Sequence, residues 1–156
     1  MRVSLTSDEI FLAATAGVIR RLRGISGKLD KNQHGLPDNA PRWENDIEGA
    51  LAESALAKAL GQYWRGAGPL DERHHPDVAD FDVRATKYEN GHLIIHPDDA
   101  NKRRFYLVTG SDGEYRIAGW CYGEEGKRGR WWRDPTGKGR PAFFVPQSEL
   151  RAFNGK

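Results

Sequence analysis

Residues 75–86 read HPDVADFDVRAT, and the fold turns on how that stretch is taken. Before it, apolar residues recur at helical spacing; from Phe81 onward they alternate with polar ones, the period of a strand. In FDVRAT, alternation puts Asp82, Arg84 and Thr86 on one face, with Phe81, Val83 and Ala85 on the other. Asp77 stands just ahead of this strand, close enough to turn its carboxylate toward Asp82.

Working back toward the N-terminus, Thr6 and Glu9 form a T-x-x-E capping box that opens a helix through Ile10, Leu12, Ala13, Ala16, Ile19 and Leu22. It is expected to end near Gly24, with Arg20, Arg21 and Arg23 in its last turn. Cations there complement the negative helix end, and that structural role outranks a ligand site as their explanation. The following stretch, GISGKLDKNQHGLPDNAPR, has the composition of a loop. A second helix is expected from about Trp43 to Tyr63, with Glu44, Asp46 and Glu48 in its first turns. Its centre is almost wholly Ala, Leu and Gly, so it can lie close against a sheet. Glu53 sits there with Gly49, Ala50, Leu56 and Ala57 as its helical neighbours and has no local charge partner. Such a carboxylate either follows a thin polar seam to solvent or is held against another element.

Toward the C-terminus the pattern gives HLIIH, RFYLVTG, EYRIAGWCYG and AFFV as further strands, and a short helix from Pro146 to Phe153. Asn90-Gly91 and Asp112-Gly113 are hairpin-turn pairs. The expectation is one α+β domain over residues 1–156: two N-terminal helices followed by a mixed, mostly antiparallel sheet.

The composition permits this. The 156 residues carry 24 Lys and Arg against 22 Asp and Glu, with 38% apolar residues, which excludes a disordered tail. Cys121 is the single cysteine, so neither an internal disulfide nor a cysteine-rich zinc site is expected. The longest apolar stretch, IFLAATAGVI, is too short to span a bilayer, and the N-terminus has no apolar signal region. A soluble cytoplasmic protein with no membrane partner is expected. Charge is nonetheless segregated: residues 1–43 carry +3, residues 44–99 carry −7 and residues 100–156 carry +6. An acidic middle between basic ends suits a carboxylate cluster for a cation beside a surface for a polyanion; charges that cancel in three dimensions would give the same count.

Two or three converging carboxylates repel one another unless a divalent cation neutralises them, and such oxygen ligands suit Mg²⁺ or Mn²⁺. Arg84 stays protonated and cannot act as a base, yet it can hold a phosphate through two parallel bonds. An exposed strand with a surface Asp82–Arg84 ion pair is the plain alternative. His96-Pro97-Asp98-Asp99 is expected to cap a turn. The histidines argue poorly for zinc: His92 and His96 stand about 13 Å apart on one strand face, and the adjacent His74 and His75 would point apart in extended chain. Residues 127–140 hold Lys127, Arg128, Arg130, Arg133, Lys138 and Arg140 against Asp134 alone, with Trp131 and Trp132 between them. Cations take phosphates and indoles stack on bases. Neighbouring strand residues face opposite ways, so one Trp is expected inside and one outside.

A Glu in a Gly-Ala-x-x-Glu helix, then an Asp, then an acidic-x-basic strand, resembles the PD-(D/E)xK restriction-endonuclease-like superfamily, and the whole chain from SLTSDE to VPQSEL is similar to small bacteriophage proteins of comparable length. The resemblance matches Glu53 to the helix acid, Asp77 to the first motif acid, Asp82 to the second, and Arg84 to the position usually held by Lys. It implies a restriction-endonuclease-like core and a Mg²⁺-dependent nuclease that hydrolyses DNA phosphodiesters. Glu53, Asp77 and Asp82 would be metal ligands, Arg84 would stabilise the phosphate, and homo-oligomers would be in keeping with the superfamily. With Arg84 in place of Lys, the nucleophile would have to be water acidified by the cation. A catalytically inactive nucleic-acid-binding or regulatory protein of phage origin is the second expectation. A structural or protein-interaction component is the third.

Overall fold

The structure is a computed structural model that describes residues 1–27, 42–68, 76–135, 137 and 139–154. The chain runs through β1 (Arg2–Ser4), α1 (Ser7–Gly27), α2 (Arg42–Leu60), β2 (Phe81–Thr86), β3 (Leu93–Ile95), β4 (Arg104–Ser111), β5 (Glu114–Tyr122), the single turn α3 (Gly123–Gly126), β6 (Trp132–Arg133) and β7 (Ala142–Val145). Two sheets result, of order β1-β5-β4-β2 and β3-β7-β6. The α+β expectation holds at that level. The strands do not form one sheet, however, and β2 runs parallel to β4 while every other strand pair is antiparallel.

The four-stranded sheet is the middle layer. On one face Val83, Tyr106, Val108, Tyr115 and Ile117 pack with Leu51, Ala52, Ala55 and Leu56 of α2, and on the other Phe105, Leu107 and Cys121 pack with Leu93, Ile95, Val145 and Trp131. Period-two alternation along β4 sends successive side chains to the two cores. In β5 an irregularity breaks this parity: Val108 pairs with Ile117 but Leu107 pairs with Gly119, leaving Ala118 as an extra residue. Trp120 therefore joins the helix-side core and Cys121 the other.

Local signals set the first helix. Thr6 N–H donates to Glu9 Oε2 at 2.7 Å and Glu9 N–H to Thr6 Oγ1 at 3.3 Å, the reciprocal pair a capping box requires. The helix extends beyond Gly24 to Gly27, so Arg20, Arg21 and Arg23 are not in its last turn. Gly17 lies where α1 crosses α2; a Cβ there would stand 2.6 Å from Ile47 Cα and 2.7 Å from Asp46 O. Absence of a side chain is what lets the two helices approach so closely.

Two further expectations are corrected, and one strand is added. Asn90-Gly91 does close a turn, Gly91 N–H donating to Tyr88 O at 3.0 Å, but β2 and β3 enter different sheets. The Pro146–Phe153 helix is only a 3-10 turn at Gln147–Glu149, after which Arg151 forms an extended bridge to Trp120. β1, which has too short a pattern to read, pairs with β5. Asp112-Gly113 forms the β4–β5 turn as expected, both residues at positive φ. No helix among the described residues is long and apolar enough to cross a membrane.

Candidate active site and nucleic-acid interface

Glu53 is buried on α2 and held against α1. Arg20 Nη1 donates to its Oε1 at 2.5 Å and Arg20 Nη2 to its Oε2 at 2.6 Å. Trp64 Nε1 donates to the same Oε2 at 3.1 Å. Arg20 Nη2 also reaches Gly66 O at 2.6 Å. Neighbouring arginines serve the same packing: Arg21 pairs with Asp46 at 3.5 Å, and Arg23 donates to the carbonyls of Ala67 and Gly68. The helix-end role expected for these cations is thus replaced by cross-helix and loop bonds. The signal was present in the sequence. Ala13, Ala16 and Gly17 mark the side of α1 that meets α2, and Arg20 and Arg21 follow one turn later on that side.

β2 lies at an edge of its sheet, so the amides on its outer side need partners other than β4. Phe81 N–H donates to Val78 O at 2.8 Å, and Val83 N–H donates to Asp77 Oδ2 at 2.8 Å. Asp77 therefore covers the strand edge with its carboxylate. Burial pushes that carboxyl up to about 7, the charge of Glu53 adds to the rise, the Val83 amide opposes it, and Asp82 contributes a further increment. Alternation is as expected: Val83 faces the helices, while Asp82 and Arg84 face the small sheet. Burial also raises the Asp82 carboxyl, against the pull of Arg103 and Arg84.

Arg84 is fixed rather than loose. Its Nη2 donates to Asp99 Oδ1 and Oδ2, both at 2.9 Å, its Nε donates to Ile94 O at 3.2 Å, and its guanidinium lies 5.1 Å from the Phe105 ring centre. Asp99 caps its turn as well, accepting His96 N–H at 2.8 Å. Asp82 is approached by Arg103 Nη1 at 3.3 and 3.4 Å. Arg20, Trp64, Asp99 and Arg103 are the members of this constellation that the motif did not nominate.

The expected three-carboxylate metal centre is not assembled. Among the described residues, no group of three or more His, Cys, Asp and Glu side chains is placed to hold a metal ion. Strand parity explains this: Glu53 lies on the helix side of the sheet and Asp82 on the other, with Asp77 at the edge between them. His74, His75 and Lys138 lie outside the described residues.

In the basic segment, one indole is inside and one outside as expected, but the reason is not strand alternation: Trp131 ends a 3-10 turn (Gly129–Trp131) and only Trp132 lies on β6. Trp131 is buried in the small-sheet core, under the guanidinium groups of Arg128 and Arg130 at 5.5 and 4.5 Å from its ring, and Trp132 is 42% exposed. Arg130 also donates to Glu149 at 2.9 Å, and Lys127 Nζ to Asp99 O at 2.5 Å and Asn101 Oδ1 at 2.8 Å. Lys127 thus braces the turn that holds Arg84. Arg133 and Arg140 are exposed. A groove of about 780 Å³ has Arg84 and Thr86 of β2 on one wall and Trp132, Arg140 and Phe144 on another. Arg84 is common to the carboxylate cluster and the groove. No family model, no curated protein and no solved structure matches this chain.

Proposed function

We propose that this chain is a Mg²⁺- or Mn²⁺-dependent phosphodiesterase acting on DNA, a member of the PD-(D/E)xK class working in the cytoplasm, a host's cytoplasm if the chain is phage-encoded. One observation carries the reading: at the edge of β2 the Asp77 carboxylate accepts Val83 N–H through Oδ2 and lies in the field of both Glu53 and Asp82, which, after burial itself, hold it up at about 7. The donor chemistry fits a hard cation with two protein ligands. Asp77 uses Oδ2 for Val83 and has Oδ1 in addition, and among the described residues Arg103 reaches the Asp82 oxygens at the long distances of 3.3 and 3.4 Å. Mg²⁺ commonly takes one or two carboxylates together with substrate phosphate and several waters. Glu53 does not fit as a third ligand, since Arg20 and Trp64 already occupy both of its oxygens.

Asp77 and Asp82 would hold the ion, which when bound neutralises phosphate charge and makes water more acidic. Arg84 grips a phosphate oxygen, exchanging its bidentate partner Asp99 for the substrate, and keeps its own proton throughout. Glu53 holds Arg20 and sets the field at Asp77 rather than taking part directly. Lys127 fixes the Asp99 turn, while Arg133 and Arg140 attract the DNA backbone. Purified protein incubated with plasmid DNA and Mn²⁺ should nick it, and EDTA or Asp82→Ala should abolish nicking. No cleavage of duplex, branched or single-stranded DNA would end this reading.

A second reading is favoured by the ion pairs themselves. Arg20 meets Glu53, Arg84 meets Asp99 and Arg103 meets Asp82, a neutralisation that needs no cation. A non-catalytic nucleic-acid-binding or regulatory protein with the same fold would bind DNA with strong salt dependence and no response to Mg²⁺.

A further inference from the structure

We propose that the groove between β2 and the small sheet receives an unpaired nucleic-acid strand, with a base against Trp132 and its phosphates toward Arg84 and Arg140. The inference rests on the nucleic-acid reading above and adds the form of the substrate.

The walls of the groove argue for a base rather than a phosphate alone. Ile94 and Phe144 are cross-strand partners of β3 and β7 and form an apolar floor, because their neighbours Leu93, Ile95 and Val145 turn the other way into the core. Trp132 lines the same groove, its ring centre 4.7 Å from that of Phe143. Packing against Phe143 limits the indole's motion, so little side-chain freedom remains to be lost when a second ring stacks on it. A volume of about 780 Å³ lies within the range of roughly 300–1,000 Å³ typical of sites that enclose a small organic ligand.

Charge selects an anion. Arg84 and Arg140 both line the groove, and Asp98 is the one acid that lines it among the described residues. The adjoining segment from Lys127 to Arg140 is predominantly basic. A base-sized apolar floor, one positioned indole and flanking guanidinium groups are the elements by which single strands are held without sequence preference. A duplex keeps its base faces stacked inside and offers sugar, phosphate and base edges instead, so no flat base face is available to lie against Trp132, Ile94 and Phe144.

The test measures binding apart from hydrolysis. A fluorescein-labelled 15-nucleotide single strand and its duplex are titrated by anisotropy in EDTA, with cleavage of both followed separately in Mn²⁺. The single strand should bind at least tenfold more tightly than the duplex. Trp132→Ala should weaken its binding by about tenfold, and Trp132→Phe, which keeps a stacking ring, should recover most of the loss. Circular dichroism of both variants establishes that they fold. Equal affinity for the two forms, an unchanged Trp132→Ala, or no binding by either form would overturn the assignment. Single-strand cleavage indifferent to Trp132→Ala would overturn it while leaving the phosphodiesterase reading intact. Trp132-dependent single-strand binding with no cleavage in Mn²⁺ would support the groove and end the hydrolytic reading.

Discussion

Arg20 and Glu53 meet in a two-pronged bond across the α1–α2 contact, at 2.5 and 2.6 Å, with the carboxylate almost wholly enclosed. Removing one partner of such a pair strands a charge away from water, which costs far more than the pair itself contributes. Arg20→Ala should lower stability by about 3 kcal/mol, and Arg20→Lys should recover only part because one ammonium cannot reproduce the fork. Urea unfolding measures this; an unchanged midpoint for Arg20→Ala would show that the pair does not hold the helices.

Stability should fall as pH rises from about 4 to about 7. The unfolded Asp77 side chain ionises near 3.9, whereas the folded one does so near 7, so the native state binds the extra proton throughout that interval. Binding more protons in the native state makes stability decrease with pH, and the loss levels off once both states are ionised. Asp77→Asn keeps an acceptor for Val83 N–H and should flatten this slope, exceeding the wild type at pH 8. The Asp82 carboxyl is raised in the same direction, so some slope remains. Urea titrations at pH 5 and pH 8 give the comparison, and a steeper slope in Asp77→Asn would contradict it.

If Asp77 and Asp82 take a hard cation, Mn²⁺ at pH 8 should raise the melting temperature of the wild type. Stabilisation by a ligand that binds only the folded form reaches about 2.7 kcal/mol at a hundred times its dissociation constant. Asp77→Asn and Asp82→Asn should show little or no shift in a thermal melt. A wild type indifferent to millimolar Mn²⁺ removes the metal assignment.

Gly17→Ala should destabilise by about 1–3 kcal/mol, the usual cost of forcing extra volume into a packed contact. The added methyl would lie against the Ile47 and Asp46 backbone, which cannot give way as a flexible side chain can. The same displacement would draw Arg20 away from Glu53, so Gly17→Ala and Arg20→Ala should be less than additive in a double-mutant cycle.

The thiol of Cys121 should be inert in the native state. Burial first, and then the charge of Glu125, push it up to about 12, and only the thiolate reacts. An aromatic disulfide reagent at pH 8 should label no native protein and one thiol per chain in urea. Rapid labelling without denaturant would show that the small-sheet core opens readily.

What could be read in advance was local. The Thr6–Glu9 box needs only its own helix turn, and the common facing of Asp82 and Arg84 needs only the strand period. Their partners come from elsewhere in the chain: Arg103 and Asp99 reach β2 through tertiary placement, and no spacing rule within FDVRAT foretells them. The same limit explains β1, which is three residues long and stabilised chiefly by pairing with β5, and the parallel setting of β2 beside β4. At the C-terminus, Pro146 and Glu149 have helix-opening chemistry, yet Arg151 exchanges main-chain bonds with Trp120 and draws the chain out straight. Glu53 was conspicuous for lacking a nearby cation; the one that serves it arrives from α1.

Ala118 is the residue of β5 that faces no partner on β4, since Val108 lies opposite Ile117 and Leu107 opposite Gly119. Trp120 and Cys121 take their sides of the sheet from their own partners, Tyr106 and Phe105, so excising Ala118 would heal the ladder into unbroken alternation and leave the indole and the thiol where they are. The spare peptide unit is slack in the reading frame, and a one-residue deletion should be tolerated better there than within β4, which has no such slack.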